Sequence, residues 1–177
     1  HAFIMSFLSA HHFQLYNLVG AHKVNYEDKD GVYFAVWAPN AKHVSVIGDF
    51  NYWDKYSHPL IPRGDSSGIW EGFIPYLKQG DTYKYFIVSN FNNYSVEKAD
   101  PYAFHCETPQ KTGSKIWDLS YTWNDKEWMD FRYKKNSMKS PMSIYEVHLG
   151  SWRRKPEENN RMLSYREIAP LLRDYCV

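Results

Sequence analysis

The chain has 177 residues, with 21 Lys and Arg against 20 Asp and Glu, for a formal net charge of +1. A balance this even gives no basic footprint for a polyanion, so nucleic acid is not an expected partner, and Arg153-Arg154-Lys155 and Lys134-Lys135 read as solvated loop surface. The length suits one well-buried domain plus a remnant, since a chain of about 150 residues buries roughly 70% of its unfolded surface.

The chain opens on His1 rather than Met, so its native start is expected to be missing or replaced. Phe3-Ile-Met-Ser-Phe-Leu8 is apolar but has no basic stretch before it, and it falls short of the ~20 residues that a bilayer span takes. No membrane insertion is expected. Residues 1–25 read as an N-terminal segment with an amphipathic helix.

Residues 26–123 read as a β-sandwich. Val32-Tyr-Phe-Ala-Val-Trp37 is followed by the turn signal Pro39-Asn40, and Val44-Ser-Val-Ile47 stops at Gly48-Asp49. Gly68-Ile-Trp-Glu-Gly-Phe-Ile74 ends at Pro75. Thr82-Tyr-Lys-Tyr-Phe-Ile-Val88 leads into the polar tip Ser89-Asn90-Phe91-Asn92-Asn93. Short strands with frequent turns predict two antiparallel sheets packed face to face, a mainly β fold. No internal repeat interrupts the pattern.

Aromatic residues make up 18% of the chain, with seven Trp, fifteen Tyr and ten Phe, so most must be packing residues. Trp37, inside a strand, is expected in the core. Trp53 sits in Gly48-Asp-Phe-Asn-Tyr-Trp-Asp54, a turn-rich stretch where a ring reaches solvent. There it either packs or lies against the C–H face of a sugar, and both readings stand. Cys106 and Cys176 show neither zinc nor disulfide spacing, which predicts free thiols in a reducing, cytoplasmic setting. No His or Cys spacing matches a metal-ligand pattern, and no cofactor is expected.

Residues 124–142 turn polar and basic, as suits a linker. From Ser143 to Leu149 the residues alternate, with Tyr145, Val147 and Leu149 on one face and Ile144, Glu146 and His148 on the other, predicting a strand. Ser164-Tyr-Arg-Glu167 is a capping box, and Tyr165, Ile168, Leu171 and Leu172 recur at helical spacing, with Pro170 as a complication. Residues 143–177 thus read as the first strand and helix of an alternating β/α architecture that closes only when further strands arrive. Only 23 residues follow Arg154, so the chain is expected to be truncated. Glu146 and His148 share a strand face, but one strand does not assemble a catalytic constellation. They read as packing or hydrogen-bonding positions.

Taken together, several segments resemble the N-terminal part of a 1,4-α-glucan (glycogen or starch) branching enzyme. They are Phe34-Ala-Val-Trp-Ala-Pro-Asn-Ala41, Val44-Ser-Val-Ile-Gly-Asp-Phe-Asn-Tyr-Trp-Asp54, Gly68-Ile-Trp-Glu71, Tyr83-Lys-Tyr85, Ala99-Asp-Pro-Tyr-Ala-Phe104 and Ser143-Ile-Tyr-Glu-Val-His-Leu-Gly-Ser-Trp-Arg-Arg154. The Trp-Ala-Pro-Asn-Ala and Asp-Phe-Asn-Tyr-Trp segments resemble the family 48 carbohydrate-binding module in general, and the last segment resembles branching enzymes in particular. The resemblance implies an immunoglobulin-like sandwich followed by the first β/α unit of a truncated (β/α)8 barrel of the α-amylase superfamily. It implies an enzyme that cleaves α-1,4 bonds with retention and transfers the chain to a glucose 6-hydroxyl, and so a parent that binds glycogen, amylose or amylopectin.

Retention uses two carboxyl groups about 5 to 5.5 Å apart, and in the family these stand on later barrel strands. No residue here is therefore expected to be catalytic, and the fragment alone is expected to be inactive. By similarity to the glycogen-binding module of the AMP-activated kinase β-subunit, Trp53 and Lys84 are implied sugar contacts. The stretch where that module has a second Trp holds Phe91 and Tyr94 here and no Trp, and Phe91 is the further implied contact. The expected partners are α-glucan, the missing barrel and, for the isolated fragment, a second copy of itself. A debranching enzyme fragment and a non-catalytic glucan-binding scaffold remain the alternatives.

Overall fold

β-Branched residues concentrate between Gly20 and Lys115, and there the chain pairs into strands; the computed structural model describes residues 14–177. The helix expected near the N-terminus falls largely outside the described residues. Of the remainder, Leu15–Asn17 is one 3-10 turn and Gly20–Tyr26 is a strand rather than a helix. Two units divide between Tyr121 and Thr122.

In the first unit the strands are β1 (Gly20–Tyr26), β2 (Lys29–Trp37), β3 (Ala41–Gly48), β4 (Ile61–Pro62), β5 (Ile69–Pro75), β6 (Thr82–Ser89), β7 (Ser95–Lys98), β8 (His105–Cys106) and β9 (Ser114–Lys115). One sheet has the order β1-β2-β5-β4; the other has β3-β6-β9-β8, with β7 also paired to β6. All of these pairs are antiparallel.

Alternation decides what lies between the sheets. Val32, Phe34 and Val36 of β2 and Trp70 and Ile74 of β5 face Val44 and Val46 of β3 and Tyr83 and Tyr85 of β6, all buried in one cluster. The Phe34 ring meets Tyr83 edge-on at 5.1 Å and Tyr85 at 6.4 Å. Burying one such ring contributes about 2–3 kcal/mol. The same alternation corrects the expectation for Trp37: it follows Val36 and falls on the outer face, 57% exposed, with its indole N–H donating to the Ser67 carbonyl at 3.0 Å.

Two tyrosine hydroxyls in a core need a polar partner, and Asp100 supplies it. Its Oδ2 accepts from Tyr83 at 2.6 Å and from Tyr85 at 3.2 Å, Oδ1 accepts from the Tyr102 N–H at 2.8 Å, and its own N–H donates to Ser114 Oγ at 2.8 Å. Burial pushes the Asp100 carboxyl above its ordinary range, against the pull of the hydrogen bonds it accepts. Burial likewise raises both phenols. The network pins the segment after β7 to β6 and β9.

The second unit contains α1 (Lys126–Lys135), α2 (Leu149–Trp152) and α3 (Tyr165–Cys176), with β10 (Arg154–Lys155) and β11 (Arg161–Met162) paired as a small ladder. Where a linker was expected, α1 forms a helix that buries no residue and carries a Lys126–Asp130 ion pair at 2.9 Å.

The strand expected at Ser143–Leu149 is not formed: residues 143–148 have no regular structure, and α2 begins at Leu149. An alternating face makes a strand only beside a neighbour that takes its N–H and C=O groups. None is offered there among the described residues. The start of a barrel therefore does not appear in this fold.

At α3 the capping box forms as its residues predict. Ser164 Oγ accepts from the Glu167 N–H at 3.4 Å, and Glu167 Oε2 accepts from the Ser164 N–H at 2.8 Å. Arg161 clamps the same carboxylate at 2.8 and 2.9 Å and, with Ser164, holds Glu167 well below the usual carboxylate range. Near the other end of α3, Tyr145, Trp152 and Tyr175 form a ring cluster, with the Trp152 indole N–H donating to the Tyr145 hydroxyl at 2.8 Å.

Candidate functional site

The chain leaves β3 at Gly48, where a Cβ would lie 2.2 Å from the Thr82 carbonyl oxygen and 2.5 Å from the Phe50 ring, so no larger residue fits without a shift. One 3-10 turn follows, Asp49–Asn51. Asn51 then locks the loop from inside. Its Oδ1 accepts from the Gly48 N–H at 2.9 Å, and its Nδ2 lies 3.0 Å from the Val46 carbonyl, 3.1 Å from Ser57 Oγ and 2.9 Å from His58 Nδ1. Burial depresses the His58 pKa, which favours the neutral ring that such packing needs.

Tyr52 and Trp53 then take left-handed φ values of 54° and 61°. The Trp53 N–H returns to the Gly48 carbonyl at 2.9 Å, and its indole N–H donates to Asp49 Oδ1 at 2.9 Å. Trp53 is half-buried. Its own turn thus fixes the Trp53 backbone through Gly48 and the indole N–H through Asp49.

Lys84 pairs with Ile47 in the β3–β6 ladder, one position from the Gly48–Tyr83 pair at which the Trp53 loop departs. Tyr83 and Tyr85 point into the core, so Lys84 faces outward and is half-buried. The structure therefore brings Trp53 and Lys84 to the same end of the β3–β6 pair.

Phe91 lies at the other end. It occupies the β6–β7 turn, 66% exposed, with its N–H on Ser89 Oγ at 3.1 Å and with Asn92 and Asn93 left-handed after it. Seven residues separate it from Lys84, about 23 Å if fully extended. One glucose unit does not reach both.

The residues that sequence reading overlooked lie between these ends. Tyr56 is 69% exposed and stacks near His43, and Lys55 reaches over Phe86 to Glu97. Their only signal in the chain was their place in the Trp53 loop. Rings, an ammonium group and side-chain amides suit a neutral polyhydroxylated ligand: rings cover its C–H faces and the polar groups bond its hydroxyls.

Acid–base chemistry finds no such assembly. Glu146 is exposed, and His148 Nδ1 lies 2.7 Å from Ser151 Oγ. Among the described residues no group of three or more His, Cys, Asp or Glu could hold a metal ion. No helix among them is long and apolar enough to cross a membrane.

Residues 19–103 match the family model described as Carbohydrate-binding module 48 (Isoamylase N-terminal domain). The chain is 53% identical over 164 residues to the 1,4-alpha-glucan branching enzyme GlgB of Aquifex aeolicus, covering 93% of this chain and 26% of that protein. It is 50% identical over 170 residues to the enzyme of the same name from Gloeobacter violaceus, covering 96% and 23%. The corresponding protein of Albidiferax ferrireducens is 47% identical over 174 residues, covering 98% and 27%. The chain thus spans about a quarter of the length of the curated relatives it matches. Among solved structures, the Klebsiella pneumoniae pullulanase complexed with maltotriose is 26% identical, with a TM-score of 0.46, covering 57% of this chain and 10% of that one.

Proposed function

We propose, for a chain that shares nearly its whole length with 1,4-alpha-glucan branching enzymes and whose residues 19–103 match carbohydrate-binding module 48, that it is the N-terminal part of such an enzyme. The observation that carries this reading is the reach of the similarity. A binding module shared with other glucan-active proteins would account for residues 19–103, whereas the branching enzymes match over 164 to 174 residues and so extend well into the second unit.

On this reading the parent cleaves α-1,4-glucan with retention and passes the chain to a glucose 6-hydroxyl. The two carboxyl groups this chemistry needs lie outside this chain. The first unit, an immunoglobulin-like sandwich, holds glycogen or a related α-glucan through Trp53 and Lys84, with Phe91 at the far end. The second unit is the start of a (β/α)8 barrel: Ser143–Leu149 becomes its first strand when a neighbouring strand supplies the ladder, and α3 follows as its first helix. The exposed apolar side chains Ile144, Tyr145, Met162 and Leu171 are the ones such a barrel would cover. Two free, exposed thiols, Cys106 and Cys176, fit a cytoplasmic enzyme.

The test is the parent protein's action on amylose. New α-1,6 linkages, detected by subsequent debranching and chain-length profiling, are the expected result. Release of linear chains from glycogen would instead identify a debranching enzyme, and absence of either activity would identify a non-catalytic scaffold. The 177-residue chain by itself is expected to do neither.

A further inference from the structure

Between Lys84 and Phe91 the outer face of β6 is not bare. Phe86 points away from the core, yet is only 4% exposed, because the loop after Trp53 folds over it. Lys55 Nζ lies 4.8 Å from the centre of the Phe86 ring and pairs with Glu97 of β7 at 3.1 Å. Tyr56 stands edge-on to Phe86 at 6.1 Å and 5.5 Å from His43, which itself meets Phe86 at 6.3 Å. The Tyr56 N–H is tied to Asp54 Oδ1 at 2.9 Å, and Ser45 Oγ donates to the Lys55 carbonyl at 2.6 Å.

The Tyr56 ring is therefore braced from two sides and still 69% exposed. A ring already held in place loses little conformational freedom when a ligand covers it, which favours binding. Its position is also specific. It covers Phe86, two residues beyond Lys84 and five before Phe91, or about 7 Å and about 17 Å along an extended strand.

We propose that Tyr56 is a glucan-contacting platform that carries an α-glucan chain across the outer face of β6, from the Trp53–Lys84 end toward Phe91. The surface then reads several consecutive glucose units instead of one. This rests on the glucan-binding reading of the sandwich. The contact is ring against C–H face, so the phenol hydroxyl is dispensable and the ring is not.

Affinity electrophoresis of the 177-residue chain in gels containing glycogen tests this, with the wild type, Tyr56→Ala, Tyr56→Phe and Trp53→Ala compared and thermal unfolding measured for each. The expected result is several-fold weaker retardation of Tyr56→Ala and near-normal retardation of Tyr56→Phe, with every variant still unfolding cooperatively and Tyr56→Ala slightly less stable because its ring covers Phe86. Competition by maltoheptaose should exceed that by maltotriose in the wild type and lose much of that advantage in Tyr56→Ala. Retardation of Tyr56→Ala equal to wild type, with Trp53→Ala impaired, overturns the role of Tyr56 and leaves glucan binding at Trp53 standing. Equal retardation of all four overturns both assignments. No retardation of the wild type overturns the glucan-binding reading itself.

Discussion

Seventeen of the eighteen buried hydrophobic side chains among the described residues precede Tyr121, and the second unit holds only the eighteenth, Ile168. Both units carry strand-like alternation and abundant aromatic rings. What separates them is completion. In the first, the long alternating segments find pairing partners and the tyrosine hydroxyls find Asp100; in the second, Ser143–His148 has no ladder and its neighbouring rings cluster at the surface. Hydrophobic pattern thus proposes an element, and a partner decides whether it forms.

The largest expected effect that sharpens this contrast is in the sandwich core. Phe34→Ala removes a fully buried ring facing two tyrosines and should cost about 3–5 kcal/mol. Urea unfolding followed by tryptophan fluorescence should show the loss. A truncation in the second unit, such as Ile144→Ala, should leave that transition in place.

Next comes Asp100→Ala, which leaves two buried phenol groups unpaired. It should cost about 1–3 kcal/mol in the same assay. Asp100 also sets a pH dependence. Its folded pKa is raised, so the native state holds the proton more tightly than the unfolded one. Its contribution is present below the ordinary carboxylate range and is lost as pH rises through the raised folded value. Asp100→Asn should abolish that decline. Tyr83 and Tyr85 are raised as well, so stability should fall again as pH passes about 10, where free phenols ionise.

A smaller effect belongs to the second unit. Glu167 is depressed by Arg161 and the Ser164 cap, so its contribution is present above the ordinary glutamate range and is lost as pH falls through its lowered value. Glu167→Ala at neutral pH should reduce far-ultraviolet helicity with the sandwich transition unchanged, and acid should reduce helicity in the wild type. An equal loss in both units would break the comparison.

Legibility followed the same divide. The long alternating runs in β2, β3, β5 and β6 were readable because each has one fully apolar face, and the α3 cap because it is local chemistry. β1 was not readable, since Lys23 and Asn25 break its pattern, and the two-residue strands β4, β8 and β9 carry no pattern at all. A place inside a strand suggests the core for Trp37, but counting from Val32 puts it on the outer face. At the candidate site the Trp53 turn and Lys84 were visible as motif residues. The Asn51 lock and the bracing of Tyr56 were not, because both depend on a loop folding back over β3 and β6.

Hydrogen exchange of the 177-residue chain, read by mass spectrometry with and without maltoheptaose, tests the central claim most directly. Slow exchange is predicted in β2, β3, β5 and β6 and fast exchange across residues 122–177, with sugar-dependent protection confined to the loop after β3, to β6 and to the Phe91 turn that follows it. Protection of Ser143–Trp152 equal to that of β6, or sugar-dependent protection in the second unit alone, would contradict it.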